Sequence, residues 1–406
     1  MNDQTIQAAL DTVGTPLYLF DEEEFHRQSL HLRSLLPSDA ELCYAIKANP
    51  FIIEQAARDA DRIEVCSPGE LRICQALDIP ADKLVISGVH KDEALARELT
   101  GGKGDIARYT VESTLQFDLL EEAATDAGRR IPILIRLAHE SQFGIDEPEI
   151  KTLVRRCIDN PHMDFCGIQL FAGTQKTSTK RMRHELNKAD ALMREIREEL
   201  GMDVREFEYG AGLPVLYFEP DEEARQKQDH LASELAELLG AMEFTGKIII
   251  ELGRAMAASC GWYATRVVDT KNSGGNNYAI IDGGKHQLVY YGNAMGMSQP
   301  PCSVFPTRAG DEQPWNICGS LCTTTDILAK KMPLPAIGVD DVLLFRKAGA
   351  YCMTEGVSLF LSRDLPAVVI ADRAGNLRIA REHVDTFPLN VPARKTHGLE
   401  TPSAVL

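Results

Sequence analysis

The chain has 406 residues, of which 43 are lysine or arginine and 60 are aspartate or glutamate, so its formal net charge at pH 7 is −17. This acidic balance argues against nucleic acid or an anionic membrane as a partner, because both are bound through clustered basic side chains. A hydrophobic fraction of 44% with 25% charged residues is typical of globular proteins, and the length predicts two domains or one large barrel with an appendage.

The cysteines, the histidines and the N-terminus predict a reduced cytoplasmic protein without a metal site. None of the ten cysteines forms a CxxC pair, and neither they nor the ten histidines have the spacing of zinc ligands. The first residues, MNDQTIQAALDTVG, lack the basic and apolar regions of a signal peptide, and no apolar run reaches the length of a membrane span.

Eight short apolar segments alternate with amphipathic helical patterns between about residues 40 and 255. Nearly continuous apolar runs are typical of strands buried on both faces of a parallel sheet. Eight strands and their helices in roughly 215 residues match a (β/α)₈ barrel, although an open doubly wound sheet has the same alternation. The predicted strands are 41–49, 62–67, 83–88, 106–111, 131–137, 165–173, 205–212 and 247–253.

The sequence changes character after Arg254. Strand-like runs such as TRVVDTKN, NYAIIDGG, DVLLFRKAGAYC and AVVIADRAG are joined by turn-rich segments, including SGGNN (273–277), and few helical patterns occur. This alternation predicts an antiparallel β domain after the barrel.

The strongest local motif is YAIKAN (44–49), in which an apolar strand ends in Lys47. In a barrel, that position lies at the C-terminal mouth, where barrel active sites are built. A partly desolvated lysine there can form a Schiff base with an aldehyde. A strand-end lysine taken alone more often only reaches solvent, so the motif needs its context.

That context is a series of short motifs in a fixed order. With them, the sequence resembles the fold-type III pyridoxal-phosphate decarboxylases, the family of the diaminopimelate, ornithine and arginine decarboxylases, from about Thr15 to Pro388. Each motif is weak alone, but their order over roughly 300 residues is specific. The motifs are YAIKAN (44–49), EVCSPGEL (64–71), QFGI (142–145), GIQLFAGTQ (167–175), GAGLP (210–214), ELGR (251–254), IDGG (281–284), CTTTD (322–326) and GAY (349–351).

The resemblance implies that pyridoxal 5'-phosphate is the cofactor, held by a barrel of residues 22–255, with residues 1–21 and 256–406 forming a β domain that contributes to the site. Lys47 would form the Schiff base, with Glu64 near it. Glu251 would face the pyridine nitrogen and keep it protonated. The other cofactor contacts would be Phe171, Thr174, Gly210, Gly212, Gly253, Arg254 and Tyr351.

Cys322 lies in GSLCTTTD (319–326), which matches the segment carrying the cysteine that protonates Cα in this family. Without that match, a free cysteine is more often a small buried hydrophobe. In the family, this segment reaches the active site of a neighbouring subunit. The resemblance therefore implies a homodimer with shared sites.

Four departures from the family pattern concern the substrate. Phe171 replaces a histidine that stacks on the cofactor, Ala211 replaces a glycine, and the segment 136–146 is short. Thr323 follows Cys322 where decarboxylases of basic amino acids have an acid that pairs with the distal ammonium of the substrate. These departures predict a substrate with a conjugated side chain, citryl- or carrier-linked, in siderophore or other secondary-metabolite biosynthesis.

Thr323 and Asp326 are the candidate substrate contacts in this segment. An enzyme of lysine biosynthesis resembling diaminopimelate decarboxylase is the alternative, and a racemase of the same fold or a non-catalytic homologue with a regulatory role are more distant ones. Lys47 and Cys322, both present, favour a decarboxylase. A Rossmann glycine loop in GAGLPV (210–215) fails because Val215 stands at its third glycine.

Overall fold

The computed structural model describes residues 1–102 and 104–392. The predicted residues 393–406 of the β domain lie outside this range. In chain order the strands are β1 (Leu17–Asp21), β2 (Glu41–Ala45), β3 (Arg62–Val65), β4 (Leu84–Ile86), β5 (Arg108–Val111), β6 (Ile131–Arg136), β7 (Met163–Phe171), β8 (Glu206–Gly210), β9 (Lys247–Leu252), β10 (Gly261–Ser273), β11 (Asn276–Ile281), β12 (Cys302–Phe305), β13 (Gln313–Cys318), β14 (Ile327–Leu334), β15 (Val342–Phe345), β16 (Ala367–Ala371) and β17 (Leu377–Arg381).

Helices follow most barrel strands. They are α1 (Asp3–Val13), α2 (Glu22–Leu35), α3 (Ile53–Asp59), α4 (Pro68–Ala76), α5 (Glu93–Gly101), α6 (Thr114–Asp126), α7 (Glu147–Ile158), α8 (Thr179–Leu200), α9 (Asp221–Gly240) and α10 (Arg254–Ala257). Short 3₁₀ turns occupy Ile46–Ala48, Pro50–Ile52, Ala81–Lys83, Ala258–Cys260, Phe360–Ser362 and Phe387–Asn390. Within residues 1–102 and 104–392, no helix has both the length and the apolar character needed to cross a membrane.

Four barrel helices begin at a side-chain N-cap. The side chain of Asp21 accepts hydrogen bonds from the first turn of α2, and Ser67, Asp92 and Ser113 do the same for α4, α5 and α6. Each cap satisfies backbone N–H groups that have no partner inside the helix. These caps therefore end the loops before α2, α4, α5 and α6 at a defined residue.

The barrel is closed, which confirms the (β/α)₈ prediction and excludes the open sheet. Strands β2 to β9 pair in order and in parallel, and β9 pairs back onto β2. All eight predicted strands are present, most of them shorter than the apolar runs suggested. Lys47, for example, lies in the turn Ile46–Ala48 just after β2, because the chain leaves the sheet there.

Ion pairs fill the N-terminal end of the barrel interior. Arg62 Nη1 donates to Glu206 Oε2 at 2.9 Å, and Arg108 Nε donates to the same oxygen at 2.7 Å. Burial alone would raise the pKa of Glu206, but the two guanidinium groups lower it to about 2. These charges are neutralised within the protein and face away from the C-terminal mouth.

The second sheet has nine strands and is mostly antiparallel, as predicted. Two of its pairs are parallel, β1 with β16 and β11 with β13, which differs from a purely antiparallel sheet. No hairpin links the strands of either pair. The barrel and most of the second sheet lie between β1 and β16 in the chain, and β12, which pairs with β15, lies between β11 and β13. The sequence analysis does not predict strands β1, β12, β13, β14 and β17. Pro314 in β13 and Pro333 in β14 explain two of these omissions, because proline argues against a strand.

Two hydrogen bonds join the end of β2 to the segment that follows β15. The buried Asn49 donates from Nδ2 to the carbonyl of Gly349 at 2.9 Å, and the N–H of Tyr351 donates to the carbonyl of Ala48 at 2.7 Å. These bonds place Tyr351 of the β domain beside Lys47 of the barrel.

Candidate active site

A cavity of about 200 Å³ opens at the C-terminal ends of the barrel strands. The barrel and the segment after β15 both contribute to its walls. Eight predicted site residues line it, namely Lys47, Phe171, Thr174, Gly212, Glu251, Gly253, Arg254 and Tyr351, together with Ala45, Leu213, Leu252, Ala255 and Glu355.

Lys47 lies between two carboxylates at the floor of the cavity. Its Nζ donates to Glu64 and lies 3.5 Å from Glu251 Oε1 and 3.5 Å from Cys66 Sγ. Desolvation alone would lower the pKa of Lys47, but Glu64 and Glu251 raise it well above its usual value. The amine is therefore an ammonium group in this arrangement, held towards the cavity.

Glu251 is buried at the end of β9 and faces the neighbouring carboxylate of Glu64. Burial and the charge of Glu64 both raise the pKa of Glu251, while Lys47 opposes them. Gln169 Nε2 donates to Glu251 Oε2 at 3.3 Å and fixes that oxygen. Glu64 differs because its direct hydrogen bond from Lys47 outweighs the effect of burial and lowers its pKa.

A third carboxylate, Glu208, lies deeper in the barrel on β8. It is fully buried, and neither of its carboxylate oxygens has a hydrogen-bond partner among the described residues. Burial, with Glu251 and Glu64 adding to it, raises the pKa of Glu208 to about 8. At neutral pH this side chain is mostly a neutral acid beneath the cavity.

The glycine loop after β8 packs directly against the loop after β7. Gly212 has φ +60°, and a Cβ there would lie 2.3 Å from the carbonyl oxygen of Gly173. A Cβ on Gly210 would lie 2.4 Å from the ring of Phe171. Both positions require glycine, because no side chain fits between the two loops. The backbone of the glycine loop is thereby exposed to the cavity at close range.

Arg254 is a buried cation at the opposite wall. It is 6% exposed, its Nη1 donates to Tyr217 Oη at 3.0 Å, and its guanidinium carbon lies 4.4 Å from the centre of the Tyr351 ring. Among the described residues, no carboxylate lies within 4.0 Å of it. The charge of Glu355, on the same cavity, acts on Arg254 without a direct ion pair. A buried guanidinium on the wall of a cavity, without a directly paired carboxylate, favours an anionic ligand.

Residues 22–258 match the family described as "Pyridoxal-dependent decarboxylase, pyridoxal binding domain". The chain belongs to this family. It is a pyridoxal-phosphate-dependent amino-acid decarboxylase, as the resemblance implied.

Individual relatives of this decarboxylase family span most of the chain. Diaminopimelate decarboxylase of Aquifex aeolicus is 27% identical over 367 residues, covering 86% of this chain and 84% of that protein. The L-glutamyl-[BtrI acyl-carrier protein] decarboxylase of Niallia circulans is 25% identical over 410 residues, covering 94% of each. The crystal structure of AQ1208 from Aquifex aeolicus superposes with a TM-score of 0.79 at 25% identity, covering 95% of this chain and 93% of that one.

The donor set of this decarboxylase fits its cofactor. Pyridoxal phosphate needs an amine for its aldehyde, a carboxylate for its ring nitrogen and donors for its phosphate. In the cavity, Lys47 has the amine, Glu251 has the carboxylate, and the buried Arg254 is a donor for the phosphate. The glycine loop adds backbone at a position where a Cβ would be excluded, as phosphate binding requires.

Tyr351 adds a neutral hydroxyl to the cavity. Its φ is +65°, held by the hydrogen bond from its N–H to Ala48. Burial raises the pKa of Tyr351 to about 12, so its hydroxyl keeps its proton and can donate it. This residue comes from the β domain, so the cavity is incomplete without that domain.

The segment around Cys322 lies outside the cavity of the same chain. Cys322 is exposed, and Thr323 Oγ1 lies 3.2 Å from Thr325 Oγ1. Neither Cys322 nor Thr323 is among the residues that line the cavity within the described ranges. Their predicted roles therefore remain predictions.

Asp326 requires a correction. It is 2% exposed, and its carboxylate accepts hydrogen bonds from the N–H groups of Lys285 and Leu321, each at 2.8 Å. These bonds turn the carboxylate inward, where it holds the 319–326 loop in shape. It supports the loop and does not face a substrate.

Sequence analysis missed several polar groups of the site, among them Cys66, Gln169 and Glu208. Each lies two residues from a predicted contact, at Glu64, Phe171 and Gly210 respectively. Because strand residues two apart point to the same side, this spacing could have indicated all three. Glu355, which also lines the cavity, had no such signal.

Proposed function

We propose that this decarboxylase removes the α-carboxylate of an amino acid whose side chain is conjugated, as a citryl amide or a carrier-linked thioester, in siderophore or other secondary-metabolite biosynthesis. The observation that carries the proposal is Thr323. It follows Cys322 where an acid would be needed to pair with a distal ammonium. The similarity to a decarboxylase named for a carrier-linked glutamyl substrate supports the proposal.

In this proposal some residues hold the cofactor and others hold or transfer a proton. Lys47 would hold the cofactor through its aldehyde, Glu251 would keep the ring nitrogen protonated, and Glu64 would orient Lys47. The cofactor supplies an electron sink for the pair released when CO₂ leaves. The contacts that hold ring and phosphate are Phe171, Thr174, Gly210, Gly212, Gly253, Arg254 and Tyr351.

Cys322 donates a proton to Cα after CO₂ has left, and it does so in the cavity of a second copy of the chain. Two observations support such a homodimer. The thiol is exposed and outside its own cavity. The segment 357–361 and the turn Phe387–Asn390 expose large apolar side chains, and Asn390 ties them together through a 3.3 Å hydrogen bond to the carbonyl of Leu359.

This apolar surface adjoins the loop of Cys322. Arg363 follows the segment 357–361 and donates to the carbonyl of Ser320 at 2.7 Å, two residues before Cys322. A second subunit that covers the apolar surface would therefore also meet the thiol. Isologous contact of this kind places both thiols at the interface.

The test compares substrates on the holoenzyme. We expect CO₂ release from N-citryl-diaminopropionate or from a carrier-linked aminoacyl thioester, and at least 100-fold lower kcat/KM with free diaminopimelate. The Lys47→Ala variant should lose the absorbance band of the lysine-bound cofactor and all CO₂ release. Thr323→Glu should leave turnover of the conjugate no better than that of the wild type.

A diaminopimelate decarboxylase is the second candidate. It is favoured by relatives such as those of Aquifex aeolicus and Vibrio cholerae, which are 27% and 28% identical over most of this chain. An ordinary rate with free diaminopimelate, with conjugates ignored, would establish this alternative and overturn the proposal.

A further inference from the structure

Two cations flank the loop of Cys322 without a carboxylate partner. Lys285 Nζ donates to Thr325 Oγ1 at 2.5 Å, and Arg363 Nη2 donates to the carbonyl of Ser320 at 2.7 Å. In the part of the chain that the structure describes, no carboxylate oxygen lies within 4.0 Å of either. Two positive charges without a direct ion pair therefore lie on either side of one exposed thiol.

Among the described residues, the other ionisable groups of this loop form no direct ion pair with them. Asp326 uses both oxygens on backbone N–H groups; burial raises its pKa, and the charges of Lys285 and Arg363 act against that rise. His286, next to Lys285, is 3% exposed, and burial lowers its pKa to about 4 with Arg363 adding to the effect. It is therefore neutral at physiological pH. The charge that the loop presents outward is positive.

The hydroxyl groups of Thr323 and Thr325 lie where they can take part in binding a hydrogen-bond acceptor. Thr325 Oγ1 accepts from Lys285 and lies 3.2 Å from Thr323 Oγ1, so the two hydroxyls share a hydrogen bond. One hydroxyl donates its proton to the other, and the second keeps its own proton for an outside acceptor. One ammonium and one free hydroxyl proton therefore form a compact set of donors beside Cys322.

We propose that Lys285, Thr323 and Thr325 form a subsite for a carboxylate in the conjugated part of the substrate, with Arg363 adding positive charge at its edge. The subsite rests on the proposed function in one respect: Cys322 must reach the cavity of a partner copy, so that the substrate extends from that cavity onto this loop. The same positive charge repels the distal ammonium of a free diamino acid. The subsite would therefore both bind the conjugated substrate and discriminate against the free one.

The net charge of −17 opposes the approach of an anionic side chain. Local cations such as Lys285 and Arg363 counter that field beside Cys322. One ammonium and one free hydroxyl proton match the two oxygens of a carboxylate, whereas phosphate groups are more often held by arginine forks or by several backbone N–H groups.

The experiment measures binding of propane-1,2,3-tricarboxylate to the holoenzyme by calorimetry, with the neutral triamide of the same acid as the control ligand. We expect Lys285→Glu to weaken binding at least 10-fold and Lys285→Gln about 3- to 10-fold, since glutamine keeps a hydrogen bond to Thr325. Lys331→Glu, the same charge change at an exposed lysine of the same domain, should change binding less than 2-fold.

Equal affinity in the wild type and Lys285→Glu, or equal binding of the triamide, overturns the subsite. Binding of phosphopantetheine without binding of the tricarboxylate also overturns the subsite. That result would assign the cations to the phosphopantetheine arm of a carrier protein. A wild type that turns over only free diaminopimelate, while Lys285 still governs tricarboxylate binding, refutes the proposed substrate and leaves the subsite standing. The cofactor absorbance of each variant shows that the holoenzyme is intact.

Discussion

At the scale of single residues, the site is governed by carboxylates that share one lysine. Glu64 and Glu251 both lie within 3.5 Å of Lys47, and only Glu64 has its pKa lowered by that contact. One ammonium cannot neutralise two buried carboxylates, so the pKa of the second rises. Glu208 lies deeper, and no cation of the described residues lies within 4.0 Å of it. Burial, with Glu251 and Glu64 adding to it, outweighs the opposing charge of Arg62 and raises the pKa of Glu208 to about 8.

Glu208 should therefore lower the free energy of unfolding as the pH rises. An acid whose pKa is raised by folding must keep its proton to stay buried, so its penalty grows from about pH 4.5 and levels off near pH 8. We expect Glu208→Gln to change the melting temperature little at pH 5 and to stabilise the holoenzyme at pH 8 by roughly 2 to 4 kcal/mol.

Thermal unfolding at the two pH values measures this difference. The matched control is Glu198→Gln, the same substitution on the exposed surface of α8, which should shift neither melting temperature appreciably. A loss of stability at pH 8 in Glu208→Gln would show that the carboxylate is ionised and paired, contrary to this account.

At the scale of elements, the site is made from the ends of strands and the loops after them. The apolar runs continue past the last paired residue, so the sequence shows each strand but not the residue at which it ends. Lys47 and Gly212 both fall just beyond a strand, where the loop sets their position. The packing of the two loops after β7 and β8 is the local feature that shapes the side of the cavity formed by Gly212 and Leu213.

Gly212→Ala tests this loop packing. The new Cβ would meet the carbonyl of Gly173 at 2.3 Å, so the two loops must separate. We expect cofactor binding to weaken at least 10-fold in fluorescence titrations of the apoenzyme. Gly201→Ala is the control, because Gly201 has nearly the same φ, +63°, with nothing within 4 Å of the added Cβ.

Both variants carry the same backbone strain, of order 1 kcal/mol. Similar losses of melting temperature with different cofactor affinities would therefore separate the clash from the strain. Unchanged cofactor affinity in Gly212→Ala would contradict the role of the glycine loop.

At the scale of the whole molecule, the cavity of one chain contains Lys47, whereas Cys322 lies outside it. If each complete site takes its lysine from one subunit and its thiol from the other, two inactive parents must complement each other. Mixing and refolding equal amounts of Lys47→Ala and Cys322→Ala should restore about a quarter of the wild-type activity, since half of the dimers are mixed and each has one intact site.

Steady-state CO₂ release from the mixture measures this recovery. Each parent mixed with itself should remain inactive, which is the control. No recovery in a mixture that sedimentation shows to be dimeric would place both residues in the same chain's site and contradict the shared arrangement.

The sequence by itself determined the barrel, the extra β domain and the position of Lys47 at the end of an apolar strand. Apolar runs, turn residues and short motifs such as YAIKAN are local features, and local features can be recognised from the sequence alone. Interior residues could be identified only in part, because strand alternation shows which side chains share a face but not what they meet there.

Only the tertiary structure decided which charges face one another. Lys285 and Thr325 are 40 residues apart, and Glu64 and Glu251 lie on different strands of the closed barrel. Hydrogen bonds and pKa shifts act over a few ångströms, so they depend on contacts that the chain makes after folding. That is why Asp326, grouped with Thr323 in the sequence, turns inward, while Lys285, from another segment, joins the threonines.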